Sequence, residues 1–150
     1  MKALIQRVSE AKVVVDGVIV GQIERGILAY IGIGHEDTLE SAKKMVDKII
    51  SYRIFENTVD VDKQGKLDWN VQQAAGGLLL VSQFTLMAKT NKGRRPDFGK
   101  AMHPEQAGKL FDELVEYTQS VYPKVATGKF GANMQVTAVN DGPLNFILQV

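Results

Sequence analysis

The sequence predicts a single α+β domain over residues 1–150, with a mostly antiparallel sheet and two main helices. Three features lead there. The first third of the chain is a succession of Val- and Ile-rich runs joined by hairpin-length connections, which favour antiparallel pairing. Two later stretches carry apolar residues at helical rather than alternating spacing. At 150 residues, 45% apolar and 23% charged, the chain is ordinary in composition and long enough for one core without covalent staples.

Ala3 to Val8, Lys12 to Val15, Val18 to Ile23 and Ile27 to Ile33 read as strands, and Asp16-Gly17 is a two-residue hairpin signal between the second and third. Asp37 or Thr38 caps a helix reaching about Tyr52, with an apolar stripe of Leu39, Ala42, Val46, Ile49 and Ile50. Residues 56 to 76 are polar, contain glycine and show little periodicity. Leu78 to Leu86 is the most apolar strand candidate, which predicts a central position. Thr90 to Met102 is a basic loop. Pro104 suits the first turn of a second helix running to about Val121, with Ala107, Leu110, Phe111, Leu114, Tyr117 and Val121 toward the core. Met134 to Val139 and Leu144 to Val150 read as the last strands, interrupted by Gly142-Pro143.

Composition removes several function classes. The absence of cysteine excludes disulfides, zinc-thiolate sites and thiol nucleophiles. A charge follows too few apolar residues at the N-terminus for a signal peptide, and no run approaches the roughly 18–20 apolar residues of a membrane span. A soluble, cytoplasmic protein without a membrane partner is expected. The net charge of +1 leaves nucleic-acid binding to the distribution of charge. Gly32-Ile33-Gly34 follows a strand, but Asp37 stands where a dinucleotide fingerprint needs its third glycine. Asp60 to Gly65 begins like a calcium loop, yet its twelfth position is Val71 rather than glutamate. His35 and His103 lack metal-ligand spacing and fit solvated or capping positions, so neither metal nor cofactor is expected.

Two motifs remain. Asn140-Asp141-Gly142-Pro143-Leu144 breaks a β-like run with a residue that cannot donate a ladder hydrogen bond. One reading is a plain hairpin turn; the other is a rigid turn whose two carbonyls face outward as fixed acceptors. Ser82-Gln83-Phe84-Thr85-Leu86, at the end of another apolar run, supports the second.

Together these motifs resemble those of the D-aminoacyl-tRNA deacylase family. The resemblance extends along the chain through Ala3 to Val8, Tyr52 to Phe55, Asn70 to Gln73, Arg95 to Phe98 and Gly128 to Val136. Ser82 and Phe84 separate the chain from a related group that has Pro-Gln-Ala-Thr-Leu and removes L-alanine. One departure is Leu144-Asn145, where the family usually has Val-Thr.

The resemblance implies a barrel-like sheet in a homodimer whose active site lies at the subunit interface, taking the 3′ end of an aminoacylated tRNA as partner. It implies catalysis at Ser82, Gln83, Phe84 and Thr85, with backbone N–H groups around Phe84 and Thr85 steadying the ester carbonyl and the terminal 2′-hydroxyl helping the water. Thr85 is the nucleophile candidate on chemical grounds, but no adjacent base is visible, and a positioning role is the alternative. Gly142 and Pro143, in a cis arrangement inserted across the interface, would capture the substrate ammonium and exclude L side chains; glycyl-tRNA would escape that exclusion. Arg7 either braces this loop or is a surface cation. Met134 is either pocket wall or plain core. Lys92, Arg94 and Arg95, with Lys89 and Lys100, are either a solvated face or a phosphate contact. Phe98 and Phe130 either stack on the terminal adenine or pack in the core.

Two other readings compete: editing of a different mischarged tRNA, and a non-catalytic RNA-binding module using the same basic loop.

Overall fold

A computed structural model describes all of residues 1–150. The strands are β1 (Lys2–Val15), β2 (Val18–Ile23), β3 (Gly26–Gly32), β4 (Phe55–Glu56), β5 (Leu67–Trp69), β6 (Gly77–Ser82), β7 (Val125–Thr127) and β8 (Gln135–Gln149). The helices are α1 (Leu39–Ser51) and α2 (Pro104–Val121). Six strands form one mixed sheet in the order β2-β1-β3-β6-β7, with β8 added along β1, while β4 and β5 make a separate hairpin. The expected α+β class with two helices holds, and antiparallel pairs dominate. Two pairs, β3–β6 and β6–β7, are parallel, because a helix-containing crossover precedes each later strand.

The two predicted N-terminal strands are one. β1 pairs with β3 through Lys2 to Val8 and with β2 through Ala11 to Val15, while β8 runs along its other edge. Register irregularities around Val8 carry the strand from one core into another. Ala3 and Ile5 join the large core under the helices; Val8, Ala11, Val13 and Val15 join a smaller core inside the curled sheet. β6 serves both at once. Leu78 and Leu80 face the helices, and Leu79 and Val81 face the smaller core. Burial on both faces explains its continuous apolar run and confirms its central position.

The sheet curls into a nearly closed barrel because β2 approaches β7. A Cβ on Gly21 would lie 2.2 Å from the Thr127 carbonyl oxygen, so only glycine permits that seam. Thr38 caps α1 through a reciprocal bond with Ser41, and Ala42, Met45, Val46, Ile49 and Ile50 are its buried face. Leu39 is exposed, as is Val121 on α2, contrary to both predicted stripes; each sits in a terminal turn at the rim of the core. Tyr117 donates to Asp47 at 2.9 Å and ties the helices together. No helix is long and apolar enough to cross a membrane.

Three further differences matter for the site. The polar stretch 56–76 contains β5 and a turn at Asn70–Gly76, organised by side-chain bonds rather than by apolar periodicity. The run Leu78–Leu86 leaves the sheet at Ser82 and tightens into a 3₁₀ turn, Phe84–Met87. The last two runs are not a hairpin: both pair with β1 in the same direction, as parts of β8.

Candidate active site

A cleft of about 790 Å³ opens where β6 leaves the sheet. Ser82, Gln83 and Phe84 form one wall; Phe98 to Ala107 in part, including His103 and Pro104 at the start of α2, form the second. Phe130 to Ala132, with Met134 and Val136, close the third. The lining is mostly apolar, with a few polar groups at the Ser82–Gln83 end, the pattern of a small-molecule site.

The Phe84–Met87 turn is set by packing. Gln83 N–H donates to Ile31 O at 2.8 Å, anchoring the turn to the end of β3. A Cβ on Gly32 would lie 2.9 Å from Leu86 Cβ and 3.1 Å from Gln83 O, so the turn sits directly on a bare backbone. The turn's own bonding starts with Leu86 N–H on Gln83 O, leaving the amides of Phe84 and Thr85 at its head without an acceptor inside it. Thr85 is exposed. Its Oγ1 accepts from Gln83 Nε2 at 2.6 Å, and no carboxylate or imidazole bonds it.

The aromatic residues divide. Phe98 lies against Phe84, ring centroids 4.9 Å apart, and both are exposed at the cleft mouth. Phe130 is half-buried, packs on Phe111 and lines the cleft. Met134 lines the cleft and also packs on the smaller core, so both of its readings describe the same side chain.

The basic loop borders this cleft. Met102 N–H donates to Ile33 O at 3.0 Å and tethers the loop's end beside β3. Asp97 pairs with Lys89, and the Gly99 N–H, with Lys89 behind it, holds the Asp97 carboxyl below its usual range. Lys92, Arg94 and Arg95 are exposed and make no salt bridge.

Gly142 and Pro143 are not in this cleft. They are exposed on an excursion of β8, and the peptide bond between them is cis. Asn140 pairs with Val8 and Asn145 with Gln6, so Arg7 alone faces the four residues Asp141 to Leu144. Gly142 has φ +126°, a left-handed conformation that favours glycine. Arg7 is 8% exposed. Its Nε lies 3.2 Å from Asp141 O and 3.0 Å from Asp141 Oδ2, and its Nη1 donates to Ile54 O at 2.9 Å. It is a buried brace between the excursion and the start of β4, not a surface cation.

The chain therefore gathers Ser82, Gln83, Phe84 and Met134 around one cavity and collects Arg7, Gly142 and Pro143 elsewhere. His103 and Pro104 border the cavity, a placement that helical periodicity could not supply. The glycines after β3 were the available signal. A Cβ on Gly34 would meet only the movable end of Met87, at 2.8 Å, whereas one on Gly32 would meet Leu86 Cβ and the Gln83 carbonyl, so it is Gly32 that marks close packing of the 3₁₀ turn rather than a dinucleotide loop.

The family model described as D-Tyr-tRNA(Tyr) deacylase matches residues 4–149. A protein of Psychrobacter sp. (strain PRwf-1) named D-aminoacyl-tRNA deacylase is 69% identical, covering 100% of this chain and 99% of the relative. One of the same name from Acinetobacter baylyi (strain ATCC 33305 / BD413 / ADP1) is 58% identical with the same coverage. Among solved structures, one described as c-Myc DNA Unwinding Element Binding Protein superposes with TM-score 0.92 at 39% identity, covering 100% of this chain and 99% of that one. A probable eukaryotic D-amino acid tRNA deacylase shares the fold, with TM-score 0.83 at 16% identity over 99% of this chain and 98% of that one.

Proposed function

The chain belongs to the D-Tyr-tRNA(Tyr) deacylase family, and from that premise we propose that it is a chiral proofreader: a homodimer that hydrolyses D-aminoacyl-tRNA, and glycyl-tRNA with it, at a site completed across the subunit interface. It is a hydrolase of aminoacyl-tRNA esters. Water adds to the ester carbonyl, the bond to the terminal ribose oxygen breaks, and free tRNA and the D-amino acid leave.

An aminoacyl ester is already activated, so the protein needs mainly to orient it and to steady the developing oxyanion. In this reading the amides of Phe84 and Thr85 supply donors, the Gln83–Thr85 contact fixes the turn, and the terminal 2′-hydroxyl of the tRNA assists the water. Thr85 positions rather than attacks, since its hydroxyl is engaged by an amide and has no base. Lys92, Arg94 and Arg95 meet tRNA phosphates beside the cleft.

The observation that carries the proposal is the separation of the two motifs. Gly142 and Pro143 lie exposed on a braced excursion, away from the cleft that Ser82 to Phe84 border in the same chain. A second copy would bring them together. β8 pairs only with β1, leaving its other edge unpaired, and Val139 and Ile147 are exposed along it, with Val150 exposed just beyond its end. Inserted into the partner's cleft, the Gly142 and Pro143 carbonyls would accept from the substrate ammonium and leave no room for an L side chain. A D side chain would point outward and be free to vary.

The test is deacylation of one tRNA charged separately with D-tyrosine and L-tyrosine, with Gly142→Ala alongside. Wild type should clear only the D ester, and the variant should lose the discrimination. Survival of both esters with wild-type protein, while the tRNA still binds, would reject the proposal. A folded monomeric variant that kept full discrimination would reject its cross-subunit part.

A second reading, a nucleic-acid-binding module, draws on the unpaired Lys92, Arg94 and Arg95 and on the DNA-binding description of the relative with TM-score 0.92. Under it, neutralising Arg94 and Arg95 would be the only damaging change.

A further inference from the structure

The excursion at Asp141–Leu144 has a second support, and it is made by side-chain amides at its neck. Asn140 is the last paired residue before it and Asn145 the first after it. Asn140 Nδ2 donates to Asn145 Oδ1 at 2.6 Å, across the base of the loop. Gln6 Nε2, from the neighbouring strand, donates to the same oxygen at 2.8 Å. One carbonyl oxygen thus uses both lone pairs to join the two ends of the excursion to β1.

The Asn140 side chain depends on this contact. Its own Oδ1 is buried without a donor, so the bond to Asn145 is the only one that side chain makes. Amide–amide contacts near solvent contribute little to global stability. Their position, however, fixes the separation of the two chain ends between which Gly142 and Pro143 lie. Arg7 holds the flank of the loop through Asp141 and makes no bond to Asn145. A threonine at position 145, the usual family residue, would carry its oxygen on Cβ, one bond nearer the backbone than Asn Oδ1. The long reach across the neck is therefore a property of asparagine.

We propose that Asn145 is a positioning residue for stereochemical discrimination, closing the neck of the Gly-Pro excursion by accepting from Asn140 and Gln6 together. The inference rests on the chiral-proofreading reading, in which the geometry of the Gly142 and Pro143 carbonyls decides whether an L side chain is refused. Looser carbonyls admit more L ester; because the same carbonyls hold the ammonium of the D ester, KM for that ester rises while its kcat, set at the Phe84–Met87 turn, holds.

Asn145→Ala and Asn145→Asp are compared with wild type. The aspartate keeps an acceptor at the same reach, so it separates the hydrogen bonds from bulk. Two readouts are taken: NMR order parameters at the Gly142 and Leu144 amides, and initial rates on tRNA carrying D-tyrosine or L-tyrosine. In Asn145→Ala, those order parameters should fall from the rigid-backbone value of about 0.85 to below about 0.6, and the L-to-D rate ratio should rise roughly tenfold with kcat on the D ester unchanged. Asn145→Asp should restore both. A wild-type rate ratio in Asn145→Ala overturns the inference while leaving the esterase reading intact. If wild type fails to cleave the D ester, the esterase reading fails instead. The order parameters then decide the clamp alone: a fall supports it and unchanged values overturn it. Should Asn145→Ala not fold, Gln6→Ala removes one donor from the exposed side. A smaller shift in the same direction supports the clamp, and none overturns it.

Discussion

The Phe84–Met87 turn and the Asp141–Leu144 excursion are both short irregular segments whose backbone groups carry the proposed chemistry. The turn is held by volume. It sits on the bare backbone of Gly32, its side chains pack around it, and its one outside tether is a main-chain bond to Ile31. The excursion is held by polar side chains: a buried guanidinium at its flank and three amides at its neck. Packing tolerates no added atom but needs no particular partner. A polar brace tolerates reshaping around it but fails when one partner is deleted. The two regions should therefore break under opposite kinds of substitution.

The largest effect is expected from adding one methyl to the packed region. Gly32→Ala puts a Cβ 2.9 Å from Leu86 Cβ and 3.1 Å from Gln83 O, so the turn must move. A displacement of about an ångström at a positioned site costs on the order of 100-fold in rate. Steady-state kinetics on the D ester should show that loss mainly in kcat, with the small L rate falling in parallel. A variant with wild-type kcat would show that the turn rides on β3 without being shaped by it.

Deletion should act on the other region. Arg7→Met keeps much of the length and apolar stem of the side chain, but leaves the Ile54 carbonyl without its charged donor and Asp141 without its partner. An orphaned buried acceptor costs about 1–3 kcal/mol. Urea unfolding should register that loss, and the L-to-D rate ratio should rise while kcat on the D ester holds. Should the D rate fall while discrimination stays intact, the two regions are not separable in the way their supports suggest.

A smaller and more uniform effect belongs to the basic loop. Replacing Lys92, Arg94 and Arg95 by glutamine removes three exposed charges without salt-bridge partners. Every cation withdrawn from the phosphates of a single strand should flatten the salt dependence of binding by about 0.7 in log–log slope. Binding titrations at several salt concentrations should show a slope reduced by about 2 if all three reach phosphate. Neither turnover of saturating D ester nor the L-to-D ratio should move.

The same contrast explains what the sequence made legible. Segments held by apolar burial announced themselves: α1, α2, β3 and β6 follow from periodicity and from runs of Leu, Ile and Val. The 3₁₀ turn was hidden because Phe84 and Leu86 continue the apolar run of β6 although the strand has ended. Here a local change of backbone overrode the pattern. The hairpin β4–β5 was hidden for the opposite reason, since Asp68, Asn57 and Lys63 organise it without periodicity. The course of β8 is the clearest case. A Gly-Pro pair between two β-like runs reads locally as a hairpin, and only long-range pairing with β1 shows one strand carrying an excursion. The motif residues were found as chemistry, through resemblance, while their separation into two places depends on the course of the whole sheet.

The smallest expected effect concerns the structure behind Arg7. Ile54, which receives the guanidinium, leads directly into the β4–β5 hairpin, and that hairpin is tied together at Asp68. Its carboxylate accepts from Asn57 Nδ2 at 2.9 Å, from Arg53 Nη1 at 3.2 Å and from Lys63 Nζ at 3.3 Å. The Asn57 bond first, then Lys63 and Arg53, hold the Asp68 pKa below its ordinary value. A depressed carboxylate pKa means that the unfolded chain takes up the proton more readily than the folded one. The contribution of this cluster is thus complete above the ordinary aspartate pKa and is lost as pH falls through the lower, folded value. Trp69 is the only tryptophan and adjoins Asp68 in β5, so its fluorescence reads this hairpin locally. Acidification should produce a Trp69 transition below the ordinary aspartate range, and Asp68→Asn should remove it while leaving turnover of the D ester at neutral pH intact. Asp97 is also depressed, but it lies on the basic loop beside the cleft and owes its shift to Gly99 and Lys89. Asp97→Asn should therefore leave the Trp69 transition where it is. If that variant abolished the transition instead, the acid response would originate at the cleft, and the polar support behind Arg7 would not titrate independently of it.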